Sequence, residues 1–197
     1  MRKFLVEKIY SNLNDYSNKI NEFHFLKNPI NNNFKKSGGV YFFFENFKTL
    51  NLDYLKIIYI GITKNNENNR LEKHQKGDAS SFRKHVSESL EKLTKVAPSP
   101  NIIDDYIHNL PYLFIPISND NDIKTIEKAT IEIISNFNQE DKIKPVNESW
   151  LGNSSGDDKI IKSQLWNWHH VSNFKISNIE NYNKIIDLLN FYIIKLK

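Results

Sequence analysis

The chain has 197 residues and a formal charge of +4, a length that suits one medium domain rather than two full ones. An apolar fraction of 39% and an aromatic fraction of 13% argue against intrinsic disorder. The absence of Cys excludes disulfide scaffolds, thiolate zinc sites, iron–sulfur clusters and cysteine nucleophiles.

At the start, MRKFLVEKIY carries Glu7 where a signal peptide needs an unbroken apolar stretch, and no run of about 18 apolar residues follows. The expectation is a cytoplasmic protein with no membrane span. Phe4, Leu5, Ile9, Tyr10 and Leu13 recur at helical spacing and predict an N-terminal helix within 3–26. After a loop ending in KKSGG, GVYFFFENF alternates as a strand, with Val40, Phe42 and Phe44 on one face and Tyr41, Phe43 and Glu45 on the other. KIIYIGIT alternates likewise, placing Ile58, Ile60 and Ile62 opposite Ile57, Tyr59, Gly61 and Thr63. The two form an antiparallel pair. If their apolar rows share a core, Tyr41 and Tyr59 point together to the other side, where Gly61 leaves room for a ligand to approach the backbone.

Residues 68–93 predict two helical pieces broken near Gly77–Ser80, with Ser80 or Ser81 as N-cap and Phe82, Val86, Leu90 and Leu93 on one stripe. PSPN at 98–101 reads as a loop. YLFIPIS (112–118) reads as a third strand, placed at an edge because Pro116 cannot donate to a ladder. A helix over 122–137 carries Ile126, Ala129, Ile133 and Phe137 as its apolar stripe, 145–170 is loop-rich, and a last helix spans 178–195. The fold class is α+β: a small three-stranded antiparallel sheet flanked by helices, with N- and C-terminal helical extensions. The expected division is 1–36, a 37–150 core, and 151–197 packed on it.

Only three of the 27 basic residues are Arg: Arg2, Arg70 and Arg83. In so Lys-rich a chain an interior Arg offers what Lys lacks, a planar fork for a phosphate or carboxylate. Arg70 and His74 are one helical turn apart and share a face. Beside a sheet face bearing two Tyr they form a cationic and phenolic cluster suited to a phosphodiester. Glu127 falls at the border of its helix's apolar stripe, where a partly desolvated carboxylate needs a cation and a divalent metal is one natural partner. Glu132, four after Lys128, reads as a solvated ion pair. Between 64 and 85, Lys64, Arg70, Lys73, Lys76, Arg83 and Lys84 outnumber Glu67, Glu72 and Asp78, a moderate phosphate-facing patch. Arg70, Lys73, Arg83 and Lys84 are its candidate nucleic-acid contacts. Asp104–Asp105 and Asp157–Asp158 read as turn or cap acids. His169 and His170 would diverge if QLWNWHHV were a strand; Trp166 and Trp168 could stack on bases, but core packing is the favoured reading.

Together these segments resemble the GIY-YIG nuclease family. The first tripeptide stands as Gly39-Val40-Tyr41 and the second as Tyr59-Ile60-Gly61; Arg70 and His74 follow on the next helix, Glu127 on a later one, and Pro145-Val146-Asn147 supplies a Pro–Asn element. The similarity covers about residues 37–150, with more distant likeness in WLG and SQLWNWHHV, and the Arg and His four apart resemble the restriction-endonuclease branch. The resemblance implies a divalent-metal-dependent endonuclease that hydrolyses DNA phosphodiester bonds with one Mg²⁺ or Mn²⁺ per site. By the same resemblance Glu127 is the metal ligand and Arg70 holds the scissile phosphate. Tyr41 is the general base, Tyr59 positions water or phosphate, His74 assists, and Asn147 supports the site. The chain departs from the family in the longer stretch between the tripeptides, 42–58, which is expected to lengthen the hairpin loop. It also departs in the longer interval from Glu127 to Asn147, so that Asn138 is an alternative. The competing readings are a non-catalytic nucleic-acid-binding protein on the same fold and an RNA-directed nuclease.

Overall fold

The computed structural model describes residues 1–20, 23–30, 34, 36–49, 52–65, 70–78, 80–135 and 150–195. Asn138, Asn147, Phe137 and the Pro–Asn element lie outside them. In chain order the elements are α1 (Arg2–Ile20), β1 (His24–Phe25), β2 (Gly39–Thr49), β3 (Leu52–Thr63), α2 (Arg70–Gln75), α3 (Ser81–Thr94), α4 (Pro100–His108), β4 (Pro111–Pro116), α5 (Asp120–Ile134), α6 (Asp158–Ser163) and α7 (Ile179–Lys195). Short 3₁₀ turns precede α6 and α7, at Leu151–Ser154 and Ile176–Asn178. The class is α+β, as the alternating and helical periods predict.

The sheet is antiparallel with strand order β1-β4-β2-β3. It has four strands where three were expected, because the two-residue β1 pairs with Pro111 and Tyr112 at the start of β4. β4 is not the expected edge strand: it lies between β1 and β2, and Pro116 is accommodated at its end away from β1, paired among the described residues with Gly39 of β2 alone. The residues between the tripeptides do not form a long loop. They extend both strands, with pairing continuing out to Thr49↔Leu52. PSPN is not a loop throughout either: Pro100 opens α4 behind Ser99, a position where a missing N–H costs nothing, and Ile103 and Ile107 bury one face.

One irregularity decides which side chains reach the site. The β2–β3 register runs Phe43↔Tyr59 and then Phe44↔Ile57, leaving Ile58 as the extra residue of a bulge. An unpaired residue reverses the alternation on one side of itself. Ile57 therefore joins Val40, Phe42, Ile60 and Ile62 in one core, while Ile58 joins Tyr41, Phe43 and Tyr59 in the other. The expected row Ile58/Ile60/Ile62 is broken, but Tyr41 and Tyr59 do share a face.

Each face of the sheet has its own helical layer. Against Val40, Phe42 and Ile60 pack Leu5, Ile9 and Leu13 of α1, Ile123, Ile126 and Ile133 of α5, and Ile186 and Leu189 of α7. Against Tyr41, Phe43 and Tyr59 pack Leu71 of α2, Phe82 and Val86 of α3, Ile103 of α4, and Trp150 and Trp166. Leu93, expected on the α3 stripe, is exposed. The sheet ends at β3, and along this free edge the two layers come close enough to share a cleft.

Candidate active site along the edge of the third strand

The cleft is about 210 Å³ and takes Tyr59 from β3, Arg70 from α2, Ser81 from α3 and Glu127 and Ile131 from α5, closed by Trp166, Asn167, Trp168, His169 and His170. Its two charged groups arrive from opposite sides of the sheet. Arg70 is the first residue of α2, and its backbone N–H donates to the Thr63 hydroxyl at 2.8 Å, fixing the helix start to the end of β3. Glu127 is presented by α5, whose N-cap Asn119 accepts from the backbone N–H groups of Asn121 and Asp122.

Behind Tyr59 lies a second tier. Tyr41 is wholly buried, its hydroxyl 3.2 Å from Nε2 of His74, and it also hydrogen bonds to Tyr59. On its other side His74 faces the Ser80 hydroxyl, 3.4 Å from Nδ1. Ser80 caps α3 by accepting from the backbone N–H of Arg83, as the break near 77–80 predicts. Gly61 sits directly across from Tyr41. The space expected there for a ligand is filled by the Tyr41 ring, which any Cβ at Gly61 would strike.

The electrostatics separate these groups. Burial lifts the Tyr41 phenol well above its usual value; Tyr59 and Glu127 add to the rise and Arg70 opposes it. Tyr59 is raised too, by burial first, with Arg70 pulling down and Glu127 pushing up. His74 is held down to about 3, by burial and then by the nearby Arg70 and Arg83, so its imidazole is neutral near pH 7. Burial raises the Glu127 carboxyl to about 7 against the pull of Arg70. This is the partly desolvated border carboxylate that its helical position predicts.

Other sequence candidates fall elsewhere. Arg83 pairs with Asp104 and donates to the Pro100 carbonyl at 3.2 Å, so its fork is occupied within the protein and it does not line the cleft. Lys73 and Lys84 are exposed, and Lys84 lies 3.6 Å from Glu88. Glu132 is not a solvated partner of Lys128: it is buried and accepts from the Tyr182 hydroxyl at 2.8 Å, because α7 covers the side of α5 expected to face water. Asp157 caps α6, accepting from the Lys159 N–H at 2.8 Å.

Strand alternation misread QLWNWHHV. The segment is not a strand, His170 has φ 63°, and both His169 and His170 reach the cleft. Trp166 is core as expected, but Trp168 is 38% exposed. The signal available in the sequence was compositional, two Trp and two His crowded into eight residues.

A family model described as GIY-YIG domain matches residues 94–193, half of the chain. The protein belongs to the GIY-YIG family. The matched stretch includes Glu127 and the 166–170 wall of the cleft; the tripeptides, Arg70 and His74 precede it. It also runs on through α7. Membership gives the protein a nuclease-type function. No curated protein and no solved structure matches the chain. No described helix of this GIY-YIG protein is long and apolar enough to cross a membrane.

Proposed function

We propose that this GIY-YIG protein is a divalent-metal-dependent endonuclease that hydrolyses DNA phosphodiester bonds, of the kind used in restriction or defence. The observation that carries this reading is that Tyr59, Arg70 and Glu127, from three separate elements, line one cleft.

The donors suit a hard cation that keeps most of its water. Among the described residues no three His, Asp or Glu side chains are grouped to hold an ion alone. Glu127 instead offers a single half-buried carboxylate beside open space. Glu127 would hold one Mg²⁺ or Mn²⁺, which supplies Lewis-acid neutralisation of charge on the phosphoryl and leaving oxygens.

The remaining roles belong to the chain. Arg70 grips two non-bridging phosphate oxygens with its planar fork. Tyr59 is the phenol at the cleft wall and orients the attacking water. Tyr41, buried behind it, acts through Tyr59 and is a positioning residue in the free protein, held in turn by neutral His74. Water adds to phosphorus as the ester P–O bond breaks, the water's proton passes to Tyr59 in its phenolate form, and the departing alkoxide takes a proton from solvent. Glu127 pushes both phenols towards the protonated form; engaging its charge with a cation removes that push, and Arg70 then favours proton loss. Asn147 is proposed as supporting the site by hydrogen bonds.

Digestion of plasmid, single-stranded DNA and RNA with Mg²⁺ or Mn²⁺ tests the reading. The expected result is DNA cutting that is abolished in Glu127→Ala and Arg70→Ala, lost in Tyr59→Phe, and slowed in Tyr41→Phe. Undiminished cutting by purified Glu127→Ala and Arg70→Ala overturns it. Cutting of RNA alone would reassign the polymer.

A further inference from the structure

We propose that Trp168 is a stacking platform for one unstacked nucleobase of the substrate strand, next to the phosphate held at Arg70. The inference deepens the nuclease reading and rests on its nucleic-acid substrate. The chain has three Trp. Trp150 and Trp166 are buried, at 2% and 1% exposure, and pack against each other with ring centroids 5.2 Å apart. Trp168 alone of the three is exposed, and it lies on the wall of the cleft that holds Tyr59, Arg70 and Glu127.

Its position is fixed from both sides. Just before it, the Trp166 N–H donates to the Ile58 carbonyl at 2.7 Å. The Asn167 side chain then makes two bonds to Ile60, accepting from its N–H at 2.9 Å and donating to its carbonyl at 2.7 Å. These bonds dock the segment onto the free edge of β3, directly beside the bulge and Tyr59. Just after it, the His169 ring lies 3.7 Å from Trp168 between centroids, tilted by 35°, and braces the indole. The Lys159 ammonium is 5.9 Å from the indole centroid on an exposed side chain that can swing to a phosphate. An anchored exposed indole in the same cleft as an Arg, with an exposed Lys nearby, combines the two parts of a single-strand site: a π-face for a base and positive charge for its backbone. Stacking reads no base edge, so the platform accepts any base at that position.

The test uses Glu127→Gln, which the nuclease reading expects to bind without cutting, and titrates it with a single-stranded thymidine oligonucleotide and with an abasic oligonucleotide of equal length. Because Trp150 and Trp166 are shielded, quenching of acrylamide-accessible emission on binding reports Trp168. The proposal expects quenching by the thymidine oligonucleotide and none in Glu127→Gln/Trp168→Ala. It expects affinity for that oligonucleotide to fall about 5- to 150-fold in the Trp168→Ala variant and to recover largely in Trp168→Phe. Affinity for the abasic oligonucleotide should be the same with and without Trp168. Binding of both oligonucleotides with no quenching and no loss in Trp168→Ala overturns the stacking role, and cutting by the wild-type protein then shows whether the nuclease reading survives. No binding of either oligonucleotide overturns the stacking role, and absence of plasmid cutting by the wild-type protein then overturns the nuclease reading as well.

Discussion

Gly61 faces Tyr41 across the β2–β3 pair so closely that the tyrosine ring occupies the volume of the missing side chain. The second tripeptide's glycine thus acts through packing: it lets Tyr41 lie flat and keep its hydroxyl on His74.

Gly61→Ala should therefore overpack a buried site. The expected loss is about 1–3 kcal/mol of stability, seen as a Tm lower by about 2–4 °C per kcal/mol, together with a fall in cutting as Tyr41 is pushed off His74. An unchanged Tm and rate would show that the ring has free space elsewhere.

Glu127 holds its proton more tightly in the folded chain, at about 7 against an ordinary 4.5. For a carboxyl raised in this way, its contribution to stability is present below about pH 4.5 and lost as pH rises through about 7. Urea unfolding should show Glu127→Gln equal to wild type at the acid end and more stable above about 7. Mg²⁺ should stabilise wild type there but not the variant. Cutting should rise through the same range, since only the charged carboxylate holds a cation. Equal Mg²⁺ stabilisation of both proteins would remove Glu127 as the ligand.

His74 runs the other way. Its folded value of about 3 lies below the ordinary 6.5, so its contribution is present above about pH 6.5 and is lost as pH falls towards 3. His74→Gln removes this titration and keeps a side chain that can hydrogen bond to Tyr41. Acid unfolding of the variant should begin at lower pH than that of wild type, measured by tyrosine and tryptophan emission. A coincident acid limb would mean that His74 is not the group that destabilises the fold on acidification.

Arg70 and Arg83 should separate cleanly. Arg83→Ala leaves Asp104 without its guanidinium in a half-buried position and should cost about 1–3 kcal/mol of stability, with DNA affinity little changed. Arg70→Ala should lower DNA affinity and lose cutting. Calorimetry alongside a binding titration checks the pair, and the reverse pattern would exchange their roles.

The tyrosine face, the two helices after β3 and the border position of Glu127 were legible because each follows a local period. What the sequence hid depends on distant neighbours. The bulge at Ile58 exists only in register with Phe43 and Phe44. Glu132 meets an i, i+4 rule equally well in solvent or under α7, and only tertiary packing decides. His169 and His170 are hidden because alternation assumes extended backbone, whereas His170 adopts φ 63°, and Trp168 is hidden because core packing is the commoner fate of an indole and only its neighbours decide its exposure.

The Asn167 amide has a consequence for how the molecule behaves in a crowded solution. β3 is an edge strand of the sheet, and the N–H and carbonyl of Ile60 would otherwise offer another chain a template for strand addition. By filling both, Asn167 and the Trp166 N–H beside it deny that ladder its first rungs. Thus the segment that walls the cleft also guards the protein against edge-to-edge aggregation.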